Sequence, residues 1–407
     1  MKRSYQSLLT EFLGSFPCVS IVGPRQCGKT TILESLPEPW KKYDLEKSAD
    51  FQLISKDPDL FFRLNPSHVA IDEAQLLPSL FPALRVAIDE QRKKNGRFII
   101  TGSSSFHLVR SISESLAGRS ATVHMAPLSC AETHQFLDSP LASSLARGDS
   151  LEGLKNALAP RMDIAQCHRY WFEGGFPEPW IKEDPVFRQR WSEDYLFQTV
   201  QRDVGRLFPN LKVDVFRRFL HLLPGLSGTI VNYADVARAL DVSPPTVKDY
   251  FTIAHEIFLW RNLPAYVKNP TRRLVKHPKG YFRDTGLLHH FLRIPSLDGL
   301  RSHPQMGASW EGLVVEEISR GLHSRGVIYD SYYYRTSGGN EIDLVLEGFF
   351  GVVPIEIKYT STVNHRDLNS LEQFVSERKS PFGLIIHNGD RVEQLSEKII
   401  GVPFVCL

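Results

Sequence analysis

The sequence predicts an α/β protein in three parts. A parallel-sheet domain with a helical extension covers residues 1–205, a helix-turn-helix domain with a hairpin wing covers 206–300, and a second α/β domain covers 301–407. Three observations predict it. A G-x-x-x-x-G-K-T run stands between a short apolar strand and a helix start. Two amphipathic helical stretches meet at a tight turn between Tyr233 and Ala254. Two charge-alternating strands, Asn340–Glu347 and Val352–Tyr359, face each other across a glycine turn.

The first run is Gly23-Pro24-Arg25-Gln26-Cys27-Gly28-Lys29-Thr30, followed by Thr31. Val19–Val22 before it reads as a buried strand, and Thr31–Leu36 after it as a helix. Glycines let the loop fold back and aim backbone N–H groups at phosphate oxygens. The helix N-terminus adds partial positive charge. Lys29 reaches the β- and γ-phosphates of ATP, and Thr30 ligates Mg²⁺. The Cys27 thiol, beside Lys29 and a helix start, is expected to be reactive.

His68-Val69-Ala70-Ile71-Asp72-Glu73 is an apolar strand ending in two carboxylates. Behind a P-loop, Asp72 holds the Mg²⁺ and Glu73 activates the attacking water. A third strand, Arg97–Gly102, runs into Ser103 and Ser104. Ser103 or Ser104 is the candidate sensor of the γ-phosphate or the water.

These three strands resemble those of the AAA-type ATPases. The Leu116-Ala117-Gly118-Arg119 run is similar to one in bacterial and archaeal AAA-type ATPases that carry a C-terminal domain of unknown function. The resemblance implies an arginine finger at Arg119, since a guanidinium stabilises a transferring phosphoryl group. A surface salt bridge is the other reading of Arg119. The segment Tyr195–Val204 resembles the linker-helix region of the same family, and its Arg202-Asp203 pair reads as a helix-surface ion pair or a nucleotide sensor.

Composition limits the alternatives. Net charge is +2, so any basic surface is local. No apolar run is long enough for a bilayer, and the start Met1–Gln6 lacks a signal-peptide core. Five scattered cysteines form no C-x-x-C pair. Reduced thiols and a cytoplasmic location are expected.

In the middle region Tyr233, Val236, Ala237 and Leu240 share one helical face. Asp241-Val242 turns the chain, Ser243 caps and Pro244 opens the next helix, with Val247, Tyr250, Phe251 and Ala254 as its apolar stripe. The outward positions are Thr246, Lys248, Asp249, Thr252 and His255. A winged helix is expected, with Arg261, Lys268, Arg272, Arg273, Lys276 and Lys279 in a wing without acids. The patch suits phosphate contacts, yet the second helix carries few base-reading donors. DNA binding and a protein–protein role both stay open.

In the C-terminal strands Glu341 and Asp343 share a face, as do Glu356 and Lys358. Upstream, Glu311 falls in the apolar stripe of a helix with Val314, Val315, Ile318 and Leu322, whereas Glu316 falls outside it. This arrangement resembles the PD-(D/E)xK, restriction-endonuclease-like nucleases. The resemblance implies Mg²⁺ or Mn²⁺ on Asp343 and Glu356, assistance from Glu311, and catalysis by Lys358. Three uses of ATP hydrolysis follow: a nuclease coupled to ATP, an ATPase whose nuclease-like domain only holds nucleic acid (DNA ahead of RNA), or a protein-remodelling switch with a protein partner. A homo-oligomer is compatible with each, and a membrane with none.

Overall fold

Cys18-Val19-Ser20-Ile21-Val22 shows no polar alternation, as a strand covered on both faces requires. It is β1 (Cys18–Val22), buried at every position. β2 (Lys41–Asp44), β3 (Val69–Asp72), β4 (Phe98–Gly102) and β5 (Ser120–His124) join it in a parallel sheet of order β2-β3-β4-β1-β5. The three expected strands are the inner ones. The edges, β2 and β5, escape a search for apolar runs because each is half exposed. Helix Tyr5–Ser15 lays Tyr5, Leu8 and Leu9 against Val19, Ile21, Ile32, Leu33, Val123 and Met125. Each such aliphatic side chain contributes roughly 1.5–3 kcal/mol by leaving water.

The computed structural model describes residues 2–103, 115–199, 204, 208, 211–267, 277–336, 338–363 and 368–407. The chain forms two compact units. One is Lys2–Leu128 with Phe176–Glu178; the other is Ser129–Gly175 with Pro179–Leu407. Among the described residues, no helix is long and apolar enough to cross a membrane.

The second unit opens with helices. Ser129 and Asp163 form capping boxes with Glu132 and Gln166, so the helices they open start where the sequence supplies an oxygen for the free N–H groups. Further on come helices Tyr233–Leu240 and Pro244–Glu256. The first ends at Asp241, in a left-handed conformation, and Ser243 caps the second by accepting from Thr246 N–H. β6 (Thr229–Ile230), β7 (Trp260–Leu263) and β8 (Lys279–Phe282) form a small antiparallel sheet of order β6-β8-β7. At Gly280 a Cβ would stand 2.1 Å from the Trp260 ring, so only glycine lets β8 lie on that indole.

The last part begins with the long helix Met306–Ser324. β9 (Tyr329–Arg335), β10 (Glu341–Gly348) and β11 (Gly351–Ile357) follow as an antiparallel meander. Helix Asn369–Arg378 then leads to β12 (Gly383–His387), parallel to β11. β13 (Glu393–Ser396) and β14 (Ile399–Pro403) complete a mixed sheet of order β13-β14-β12-β11-β10-β9. Leu344 pairs with Ile355, a register that sets Asp343 across from Glu356.

Candidate functional site

The chain leaves the C-terminal end of β1 into the glycine loop. At Gly23 a Cβ would lie 2.2 Å from the Met125 carbonyl oxygen, and Gly28 has φ +100°, so both positions require glycine. Arg3 braces the loop from below, donating to the carbonyls of Cys27 (2.5 Å), Ala126 and Pro127. Lys29 is buried and donates Nζ to the Gly23 and Pro24 carbonyls at 3.0 and 2.8 Å. Arg25 lies 3.9 Å from Glu46. Cys27 is fully buried in the core with Tyr5 and Val19. The expected reactive thiol is therefore corrected: the side chain is packed into the core, away from reagents.

Thr30, the second residue of helix Lys29–Glu34, donates Oγ1 to Asp72 Oδ2 at 2.5 Å. The other Asp72 oxygen accepts from Glu73 N–H at 3.0 Å and from the Thr101 hydroxyl. Glu73 sits in the left-handed region at φ 52°, a conformation that costs a residue with a Cβ about 1–3 kcal/mol. There its Oε2 accepts from Ser103 Oγ at 3.0 Å and from Gln75 Nε2. Thr30, Asp72, Glu73 and Ser103 are thus brought together, with Thr31 next to Thr30 on the helix. Ser104 lies outside the described residues. Thr101 and Gln75 were missed; a hydroxyl inside the apolar strand Phe98–Gly102 was the available signal for the first.

Arg119 forms a two-pronged ion pair with Asp89, Nε–Oδ1 2.7 Å and Nη2–Oδ2 2.8 Å. It directly precedes β5, whose first residue, Ser120, pairs with Cys18 at the start of β1. The phosphate loop leaves the other end of β1.

In the second unit the C-terminal acids meet a residue assigned to the wing. Lys279 Nζ lies 2.5 Å from Glu311 Oε1, 3.1 Å from Glu341 Oε1 and 3.4 Å from Asp343 Oδ1. Tyr281 OH also donates to Glu311 Oε1. Asp343 Oδ2 accepts from Ile357 N–H at 2.9 Å, and Lys358 Nζ pairs with Glu356 Oε1 at 2.7 Å. Glu356 Oε2 is buried with no hydrogen-bond partner. Burial first, and the Asp343 charge second, push Glu311 and Glu356 up to about 8 each, despite Lys279 and Lys358. Burial depresses the Lys279 ammonium, but Glu311 and Asp343 outweigh it and hold the group charged. Among the described residues, no group of three or more His, Cys, Asp or Glu side chains is arranged to hold a metal ion.

Three further expectations are corrected here. Lys279, with 4% of its side chain exposed, is no phosphate contact of a wing. Nor is Arg261, which pairs with Glu316. Lys268, Arg272, Arg273 and Lys276 fall outside the described residues, as does the Arg202-Asp203 pair. Glu316 is no outward residue, being buried between Arg261 and Arg283, because helix Met306–Ser324 is enclosed on nearly all sides. His255 is not outward either: burial pushes its imidazole down to about 4.

Residues 15–134 match the family model of an AAA domain. Residues 164–298 and 306–407 match two domains of unknown function, DUF8612 and DUF4143. Two mycobacterial proteins are 31% identical over 404 residues: Uncharacterized protein Rv2008c of Mycobacterium tuberculosis and Uncharacterized protein Mb2031c of Mycobacterium bovis. The alignments cover 99% of this chain and 83% of each relative. Among solved structures, a Walker-type ATPase of Pyrococcus abyssi aligns at a TM-score of 0.40 and 16% identity, over 71% of this chain and 94% of that one. Protein VC1899 of Vibrio cholerae aligns at 0.19 and 13%, over 94% of each.

Proposed function

The chain belongs to the family of these two mycobacterial proteins, and from that premise we propose that it is an ATP-hydrolysing AAA-type switch with a winged-helix middle and a nuclease-like C-terminal domain. The AAA domain supports the nucleotide half of this reading. The observation that carries it is the Thr30–Asp72 contact at 2.5 Å, directly behind a loop that only glycine at 23 and 28 allows.

A hydroxyl and a carboxylate oxygen form a hard-oxygen donor pair that fits Mg²⁺. When bound with ATP, the ion would be held by Thr30 and Asp72 and would supply charge neutralisation between the β- and γ-phosphates. Lys29 exchanges its two loop carbonyls for phosphate oxygens. Glu73 takes the proton of the attacking water. Ser103 and Gln75, both bonded to Glu73 Oε2, hold that carboxylate in one orientation.

The test uses two variants with opposite expectations. Lys29→Ala loses ATP binding and turnover together. Glu73→Gln keeps binding and loses turnover by a factor of 10² or more, in the range of general-base removal. Phosphate release and nucleotide binding, measured on the folded variants, separate the two. Normal turnover in Lys29→Ala refutes the assignment.

For the second unit, the meeting of Asp343, Glu356 and Lys358 supports a nuclease-like centre. The presence of Lys279 among its acids favours a domain that docks nucleic acid or protein without cutting. A metal-dependent cleavage assay on DNA and RNA, with Asp343→Ala as control, decides between cutting and docking.

A further inference from the structure

We propose that Lys279 is the built-in cation of the C-terminal acid centre and closes it to divalent metal. The proposal rests on the nuclease-like reading of Asp343 and Glu356 only for the choice of ion that competes.

An ammonium and a divalent ion need the same oxygens here. Glu311 Oε1 and Asp343 Oδ1 both turn to Lys279. Mg²⁺ bonds such oxygens at about 2.1 Å and tolerates little distortion. With Nζ 2.5–3.4 Å from three carboxylates, that volume is taken.

Lys279 is not a chance visitor from a loose chain. It is the first residue of β8, paired with Leu263 on one side and Ile230 on the other. Two residues on, on the same face of the strand, Tyr281 donates to the same Glu311 oxygen. A small sheet thus aims a lysine and a phenol at one helix carboxylate. The lysine stem is covered, with 4% of the side chain exposed, so the charge is fixed in place. One acceptor stays unserved: Glu356 Oε2, buried and without a partner. Lysine satisfies the Glu311–Glu341–Asp343 side and makes no hydrogen bond to that oxygen. Removing the ammonium turns a neutralised cluster into crowded carboxylates, and an added divalent ion replaces the missing charge.

The test is Mn²⁺ uptake by the full chain, read by calorimetry and by thermal melting. In the parent protein, Asp343→Asn changes the number of Mn²⁺ ions bound by none. Lys279→Met, close in length and uncharged, melts lower without metal, binds one more Mn²⁺ than the parent, and recovers melting temperature on adding Mn²⁺. Asp343→Asn in the Lys279→Met background abolishes that extra ion. Lys279→Arg keeps the parent count. The proposal is overturned if the parent loses a bound Mn²⁺ on Asp343→Asn, or if folded Lys279→Met gains none. The parent comparison stands even if Lys279→Met fails to fold. ATP binding, lost in Lys29→Ala, is a separate readout, so failure here leaves the nucleotide assignment untouched.

Discussion

Gln75 Nε2 and Ser103 Oγ converge on one oxygen of Glu73, and the left-handed backbone at Glu73 is what turns that oxygen toward them. A base that must take a proton from water needs a fixed lone pair, and two donors on one oxygen fix it while leaving the other free. Under the proposed role of Glu73 as base, Gln75 acts through it, as a positioning residue. Gln75→Ala is expected to lower kcat about tenfold, the equivalent of one hydrogen bond to a charged acceptor, with KM for ATP nearly unchanged. Steady-state phosphate release over a range of ATP concentrations checks it. A rise in KM with constant kcat instead makes Gln75 a binding residue.

Helix Met306–Ser324 shows where sequence patterning succeeds and where it stops. Its Glu311 stood out because a carboxylate in an apolar stripe needs a partner, and the structure supplies Lys279 and Tyr281. Glu316 did not stand out, since the stripe rule assumes one wet face and this helix has almost none. The inner strands of the first sheet were legible from apolar runs ending in Asp72 and Ser103, and the helix pair around Asp241 from its caps and periodicity. Lys279 was not legible as a core residue, because lysine carries no local signal of burial; only the acids gathered from 32 to 64 residues away make it one. Burial pushes the Glu316 carboxyl up, but the Arg261 and Arg283 guanidiniums outweigh it and hold it down at about 2. Its folded value lies below the unfolded one of 4.5, so its contribution to stability is present above pH 4.5 and is lost as pH falls toward 2. Glu316→Gln leaves two buried guanidiniums short of charge and is expected to cost about 3–5 kcal/mol at neutral pH. The variant should also lose this part of the acid sensitivity, so the gap to the parent narrows below pH 4. Denaturant melts at pH 7 and pH 3.5 measure both; an equal gap at the two values removes the ion pairs as the cause.

A parallel sheet has a polarity that constrains what one chain can do alone. The phosphate loop follows Val22, at the C-terminal end of β1, whereas Arg119 precedes Ser120, beside Cys18 at the opposite end. Five residues of strand separate the two edges by about 16 Å at about 3.3 Å per residue. Arg119 therefore cannot serve the loop of its own chain, and within the chain it belongs to Asp89. A finger role requires a second copy, docked head to tail so that the Arg119 edge of one meets the loop edge of the next. Three consequences follow from that arrangement. Turnover per chain rises with protein concentration. Arg119→Ala and Lys29→Ala are each inactive alone. An equal mixture recovers about a quarter of the parental rate, because random pairing in a head-to-tail contact joins an intact loop to an intact arginine in one interface of four. Phosphate release across a dilution series, with sedimentation on the same samples, reads all three. Constant turnover from a sedimenting monomer, with no recovery on mixing, leaves Arg119 as the surface partner of Asp89 and the hydrolysis as the work of one chain.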